Sequence, residues 1–182
     1  STSDPVVEYV FSPDQLVQRF GNNMRYNSYS MRSDDFPPRR KTSDEKRVLV
    51  FGDSVVNGGS LTDQSELATA IVQRELSNKY PDRPITVGNV SAGSWGPGNY
   101  LGYARKHGFF DATYVVVVLS SHDAFDNPTF SPLNPNTHPT STPYLAILEG
   151  LTRYLPRYLP AYRKNAELAS YTKVRTPESE LD

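Results

Sequence analysis

Hydrophobic residues along this chain fall into three short runs separated by stretches with helical spacing. The runs are rich in β-branched residues and predict strands at Arg47 to Gly52, Ile85 to Val90 and Thr113 to Ser120. Between them, the spacing of apolar residues predicts helices from Leu67 to about Tyr80 and from Asn99 to His107. This alternation predicts an α/β fold with a parallel sheet covered by helices. The third run is apolar throughout, which is typical of a strand buried on both faces.

The segments outside this block carry other patterns. Residues 1–46 predict an irregular N-terminal arm in which Asp14 to Phe20 forms a short helix. A long loop rich in Pro, Asn and Thr extends from Ser121 to Pro143, and helical spacing returns at Leu145 to Tyr154 and at Leu159 to Tyr171. The predicted organisation has three parts: an arm (1–46), an α/β domain (47–172) and a tail (173–182).

Composition excludes several functional classes. The chain has 182 residues with 19 basic and 20 acidic side chains, enough for one domain and without a basic stripe for a nucleic acid. It has no cysteine, which excludes disulfides, thiolate zinc sites and a cysteine nucleophile. Its 3 histidines are scattered, and no apolar run approaches the length of a membrane span. We therefore predict no metal site, no nucleic-acid partner and no membrane span.

Each of the three predicted strands ends in a polar cluster. The first is followed by Asp53-Ser54, the second ends in Asn89-Val90-Ser91-Ala92-Gly93, and the third in Ser120-Ser121-His122-Asp123. Because the carboxyl ends of parallel strands meet at one edge of a sheet, we expect these clusters to share a rim. A serine, a glycine-rich backbone and a histidine–aspartate pair are the components of an acyl-transfer site.

Over about residues 47–130, the chain resembles the SGNH, or GDSL-type, family of serine esterases and lipases. The resemblance implies that Ser54 is the nucleophile and that the Gly93 N–H belongs to the oxyanion hole. The third family block is Gly-x-Asn-Asp, and His122 stands in the position of its asparagine, which is an oxyanion donor. The resemblance further implies a flavodoxin-like three-layer α/β/α fold, an acyl-serine intermediate and no cofactor. The implied substrate is a carboxylic ester, such as an acyl or acetyl group on a carbohydrate or lipid.

Two features of that family have no counterpart here. The family sheet has about five strands, and its general base lies in a late Asp-x-x-His. This sequence predicts three strands, and none of His107, His122 and His138 follows an aspartate at that spacing. We therefore expect an N-terminal part of a longer protein, with the general base outside this sequence. We also expect the open edge of the last strand to be covered by a C-terminal segment, a second copy or residues 1–46.

Individual site residues keep more than one interpretation. Ser54 is a nucleophile or a helix N-cap, and Asp53 shapes the turn through backbone hydrogen bonds. His122 is an oxyanion donor, a structural residue or a general base, in that order of preference. Asp123 points away from the site if the strand geometry persists. In that case Asp126 is the better partner to orient His122.

The glycine-rich segment also has a structural interpretation. Asn89 is predicted to order the loop that contains Gly93, and that glycine is a turn residue whether or not it binds an oxyanion. The alternative function is a non-catalytic module that binds a glycan or a protein on the same scaffold. The absent Asp-x-x-His favours this alternative, and the intact Gly-Asp-Ser opposes it.

Overall fold

A computed structural model of the chain describes residues 1–135, 137–138 and 145–158. It divides into two compact units, Ser1–Leu133 and Asn134–Asp182. The elements of the first unit are β1 (Thr2–Asp4), β2 (Glu8–Val10), β3 (Gln15–Arg19), β4 (Asn22–Tyr26), β5 (Lys46–Gly52), α1 (Ser54–Asn57), a 3₁₀ turn (Gln64–Glu66), α2 (Ala68–Lys79), β6 (Ile85–Ser91), α3 (Pro97–His107) and β7 (Tyr114–Val117).

Three strands form a parallel sheet in the order β6-β5-β7, flanked by helices. Gly52 at the end of β5 is level with Ser91 in β6, and Phe51 is level with Val117 in β7. The side chains of Leu49 and Phe51 are buried in the core. The predicted α/β class, the first two strands and both helices of this block are therefore confirmed.

The third strand differs from its prediction. Regular pairing covers Tyr114–Val117 rather than residues 113–120. Two further backbone bonds flank it, from Thr113 N–H to Arg47 O at 2.7 Å and from Val118 N–H to Phe51 O at 2.9 Å. Side chains on both faces are exposed, including Val116 at 43% and Val117 at 49%. The prediction of a strand buried on both faces is therefore wrong. No strand in the described part of the chain pairs with the outer edge of β7.

Residues 1–46 form two β-hairpins instead of an irregular arm. The predicted helix over Asp14 to Phe20 is wrong, because Gln15–Arg19 pairs antiparallel with Asn22–Tyr26. Phe20 and Gly21, with φ of 52° and 82°, form the two-residue connection that links such strands. Neither hairpin pairs with β7, so the arm does not cover that edge.

The N-terminal residues share one hydrophobic core with the sheet. Val7, Met31 and Phe36 pack in the same cluster as Phe51 and Trp95. Gly88 in β6 allows this approach, because a Cβ there would lie 2.9 Å from Phe36 Cζ and 3.1 Å from Met31 Sδ. Residues 1–46 are thus integral to the compact unit that contains the sheet.

The second unit is described over residues 145–158 and in part of the preceding segment. Its helical residues are α4 (Ala146–Glu149), a π-helical stretch (Gly150–Tyr154) and a 3₁₀ turn (Leu155–Tyr158). The helix predicted at Leu145 to Tyr154 is therefore present, with its second half in the π form. The helix predicted at Leu159 to Tyr171, the tail at 173–182 and part of the long loop lie outside the described residues.

Candidate active site

Ser54 is the first residue of α1, directly after the central strand β5. The N-cap of this helix is Asp53, whose carboxylate accepts the Val55 N–H at 2.8 Å. The Ser54 side chain is exposed, and no hydrogen bond joins its hydroxyl to another group in the described part of the chain. Gly52 allows α1 to fold back closely, since a Cβ there would lie 2.2 Å from Val56 Cγ2. The chain thus presents the serine hydroxyl at the rim while an aspartate caps the helix.

A buried network of polar side chains connects α1 to α2 and β6. Asn89 Nδ2 donates to Val56 O at 2.9 Å and to Thr69 Oγ1 at 3.1 Å. Asn57 Nδ2 donates to Ser91 O at 2.9 Å, and the Ser91 hydroxyl donates to Asn89 Oδ1. The amide side chain of Asn89 therefore orders the segment behind Ser54.

The second segment of the rim is the Gly93 loop, residues 93–96, which follows β6. Gly52 and Ser91 are the last paired residues of β5 and β6, and Ser54 and Gly93 each follow two residues later along the chain. The Gly93 carbonyl accepts a hydrogen bond from the Tyr9 hydroxyl. Trp95 Nε1 donates to Tyr9 O at 3.2 Å, which fixes the other end of the loop. A residue of the N-terminal hairpin therefore holds the segment that contains Gly93.

The third segment is the Asp123 turn, residues 120–126. The buried carboxylate of Asp123 accepts from Ser120 N at 2.7 Å and from Ser120 Oγ at 3.1 Å. His122 is exposed at this turn, and no hydrogen bond joins its imidazole to Ser54, Asp123 or Asp126. Asp123 therefore stabilises its own turn rather than orienting His122.

The Gly93 loop and the Asp123 turn lie against each other. A Cβ on Gly96 would lie 2.1 Å from Asp126 O and 3.0 Å from Asp123 O, so the backbones of the two segments are in direct contact. Burial raises the pKa of Tyr100, and the negative charges of Asp123, Asp53 and Asp126 raise it further. The ends of β5 and β7 thus bring three carboxylates close enough to act on one phenol.

These contacts place the three polar clusters at one rim, while their chemical roles stay predictions. The residues that sequence reasoning missed are in the N-terminal hairpin: Tyr9, whose hydroxyl donates to Gly93 O, and Glu8, whose carboxylate accepts from Asn99 in α3. Each lies more than eighty positions from the residue it contacts, with a separation of 84 for Tyr9 and Gly93. No local pattern indicates such a contact.

Other side chains in the described part of the chain offer no second site of the same kind. No three His, Cys, Asp or Glu residues there are grouped so that they could hold a metal ion. The ring of His107 packs among Tyr29, Tyr103 and Phe110, and burial lowers its pKa. A concavity of about 360 Å³ on the β3–β4 hairpin involves none of the rim residues; it is lined by Asp14, Gln15, Leu16, Arg25, Tyr26 and Asp35.

Among the described helices, none is long and apolar enough to cross a membrane. Comparisons with protein-family models, with curated proteins and with solved structures found no match for this chain.

Proposed function

We propose that this chain carries the nucleophile of a serine ester hydrolase of the SGNH type, with Ser54 as the attacking residue. The observation that carries the proposal is the position of Ser54. It is an exposed serine at the carboxyl end of the central strand of a parallel sheet, and its helix is capped by another residue. Ligands bind at this edge in open α/β sheets.

In the proposed reaction, Ser54 Oγ attacks the carbonyl carbon of a carboxylic ester, and the hydroxyl proton passes to a base. The leaving alcohol takes that proton as the C–O bond breaks, which leaves an acyl-serine. Water then attacks the acyl carbon, releasing the carboxylic acid and restoring the serine hydroxyl. Acyl or acetyl esters on carbohydrates or lipids are the substrates that the family resemblance favours.

The rim offers donors for the oxyanion that forms in each step. The Ser54 N–H lies in the first turn of α1, where helical hydrogen bonding leaves N–H groups free. The Gly93 N–H, two residues after the end of β6, and the exposed imidazole of His122 are the second and third donors in this proposal. Donors of this kind each contribute a factor of about 10²–10³ to the rate.

A second candidate function is a non-catalytic module that binds a glycan or a protein at the same rim. One observation favours it: the Asp123 carboxylate is occupied by Ser120, so His122 lacks the carboxylate that orients a general base. A binding module has no need for an activated serine. Reactivity at Ser54 therefore separates the two functions.

The test is labelling of the folded 182-residue chain with a fluorophosphonate, located by peptide mass spectrometry. Attack by Ser54 Oγ on phosphorus expels fluoride and leaves a stable adduct. We expect a label on Ser54, its loss in Ser54→Ala, and full labelling in the control Ser121→Ala, which removes another exposed rim serine. Absence of label in a chain shown to be folded leaves two explanations, a general base outside these residues and the binding module. Labelling of the longest available form separates them, because an unlabelled serine there contradicts the enzyme.

Two variants of His122 define its role once labelling is found. If the imidazole is an oxyanion donor, His122→Asn keeps most of the labelling rate, because an amide N–H replaces it, while His122→Ala loses about 10²-fold. If it is the base, both variants abolish labelling. Loss in the asparagine variant would therefore assign the proton transfer to His122 rather than to a histidine outside this sequence.

A further inference from the structure

Tyr9 holds the Gly93 loop at two points. Its hydroxyl donates to Gly93 O, and its carbonyl accepts from Trp95 Nε1 at 3.2 Å. The two rings also meet edge to face, with centroids 6.3 Å apart. Burial raises the pKa of Tyr9, so the phenol stays protonated and remains a donor. One residue of β2 therefore fixes both the carbonyl and the indole of the loop.

Glu8, the preceding residue, holds the segment that follows the Asp123 turn. Its carboxylate accepts from Thr129 N at 2.9 Å and from Thr129 Oγ1 at 3.0 Å. It also accepts from Asn99 Nδ2 at 3.2 Å, and Asn99 in turn accepts the Gly96 N–H at 2.9 Å. Burial opposes ionisation of Glu8, but the hydrogen bonds from Thr129 and Asn99 outweigh it and lower the pKa. The Glu8 carboxylate thus links the Gly93 loop, through Asn99, to the segment that follows the Asp123 turn.

The hairpin that carries these residues is anchored to α3. Asp4 pairs with Lys106 and accepts the N–H groups of Val6 and Val7 at 2.9 Å each. Gly102 allows the approach, because a Cβ there would lie 2.3 Å from Val6 O. The β1–β2 hairpin therefore contacts a rigid helix on one side and the rim on the other.

Glu8 adopts a φ of +83°, which a glutamate rarely does. Such a conformation persists only where the surrounding contacts over-determine it. The three hydrogen bonds to its carboxylate and the pairing of β2 with β1 supply those contacts. The strain is located at the residue that bridges the two segments.

We infer that the β1–β2 hairpin is a clamp that sets the geometry of the rim, with Tyr9 positioning the Gly93 loop and Glu8 joining it to the segment after the Asp123 turn. The effect on reactivity rests on the proposed function, since it assumes that Ser54 attacks and that the Gly93 N–H binds the oxyanion. The effect on the position of the loop does not rest on the proposed function. The two are measured separately below.

The first test compares Tyr9→Phe with Tyr103→Phe. Each removes one buried hydroxyl that donates to a backbone carbonyl, but the Tyr103 partner is Tyr29 O at 2.6 Å. The Tyr103 ring also contacts Trp95, with centroids 6.0 Å apart, and phenylalanine keeps that ring, so the control changes only the hydroxyl. Trp95 is the single tryptophan of the chain, so its fluorescence reports on that loop. We expect easier acrylamide quenching of Trp95 in Tyr9→Phe and unchanged quenching in Tyr103→Phe. Fluorophosphonate labelling of Ser54 should fall about three- to tenfold in Tyr9→Phe alone, the factor that one ordinary hydrogen bond sets.

The second test uses Glu8 and does not depend on Tyr9. Glu8→Gln keeps an acceptor oxygen, whereas Glu8→Gly removes the carboxylate and also relieves the backbone. We expect faster amide hydrogen exchange at Thr129 in the glycine variant than in the glutamine variant. Unchanged exchange together with unchanged Trp95 quenching would overturn the clamp. Absence of labelling in the unmodified chain and in the longest available form would overturn the proposed function, while both loop measurements would still decide the clamp.

Discussion

The contact between the Gly93 loop and the Asp123 turn makes a prediction that geometry alone carries. Gly96→Ala adds a Cβ 2.1 Å from Asp126 O, whereas real Cβ contacts essentially never fall below 3.0 Å. The obstructing atoms belong to the backbone, so no side chain can rotate away. Gly96 has a φ of −119°, which alanine adopts freely, so the backbone conformation itself is not strained by the substitution. Gly96 is also the N-cap of α3, where alanine is less favourable than glycine, so a smaller capping cost adds to the steric clash.

Gly93→Ala is the matched control for this substitution. Its Cβ would lie 3.4 Å from the Tyr9 hydroxyl, an ordinary contact. Each variant replaces a glycine by alanine, which lowers the entropy of the unfolded chain and thereby stabilises the protein by about 0.4–1 kcal/mol. That contribution cancels in the difference between them, which leaves the overpacking cost of about 1–3 kcal/mol at Gly96 and the smaller cost of an alanine N-cap.

Thermal and urea unfolding measure this difference. At about 2–4 °C per kcal/mol for a chain of this size, we expect Gly96→Ala to melt roughly 2–12 °C below Gly93→Ala. If the two variants agree within about 0.5 kcal/mol, a value typical of neutral surface changes, the segments do not abut as described. The segments after β6 and β7 would then not form one rim.

Two further predictions concern buried and capping charges. Hydrogen bonds from the backbone N–H of Asn23 and, next in size, from that of Ser65 lower the pKa of Asp63 from 3.8 to about 2. The ionised carboxylate therefore stabilises the fold above pH 3.8, and this stabilisation is lost as the pH falls through 2. We expect Asp63→Asn to be less stable in urea at pH 7 and the gap to close towards pH 2; a constant gap would contradict this. The side chain of Arg47 is fully buried and pairs with Glu45 at 2.7 Å. We expect Arg47→Met to lower the free energy of unfolding in urea by about 3–5 kcal/mol, and a loss below about 1 kcal/mol would show that the pair is dispensable.

Sequence pattern predicted the sheet because its signal is local. The run from Val48 to Phe51 is continuous and apolar, and a central strand with neighbours on both sides needs that composition. The same reasoning failed for β7, whose composition is equally apolar but whose faces are exposed in the described structure. Composition alone therefore indicates that a strand forms, but not which elements cover it.

The N-terminal hairpins could not be predicted in the same way. Their strands are 3 to 5 residues long, and the β3–β4 connection places Phe20 in a left-handed conformation that favours glycine. Proximity in sequence also gives no sign of the bonds from Tyr9 and Glu8 to the rim, which span 84 and 91 positions to Gly93 and Asn99. Tertiary contacts decided these elements.

Folding and catalysis make different demands on Gly52, Asp53 and Ser54. Folding explains the glycine at position 52, because any Cβ there would overlap Val56. It also explains Asp53, because its carboxylate caps α1 by accepting the Val55 N–H. It does not explain Ser54, since the cap is already supplied and its hydroxyl bonds to nothing in the described part of the chain. Residues that no folding requirement explains are where functional constraints are expected. Ser54 is for that reason the residue on which the proposed hydrolase depends.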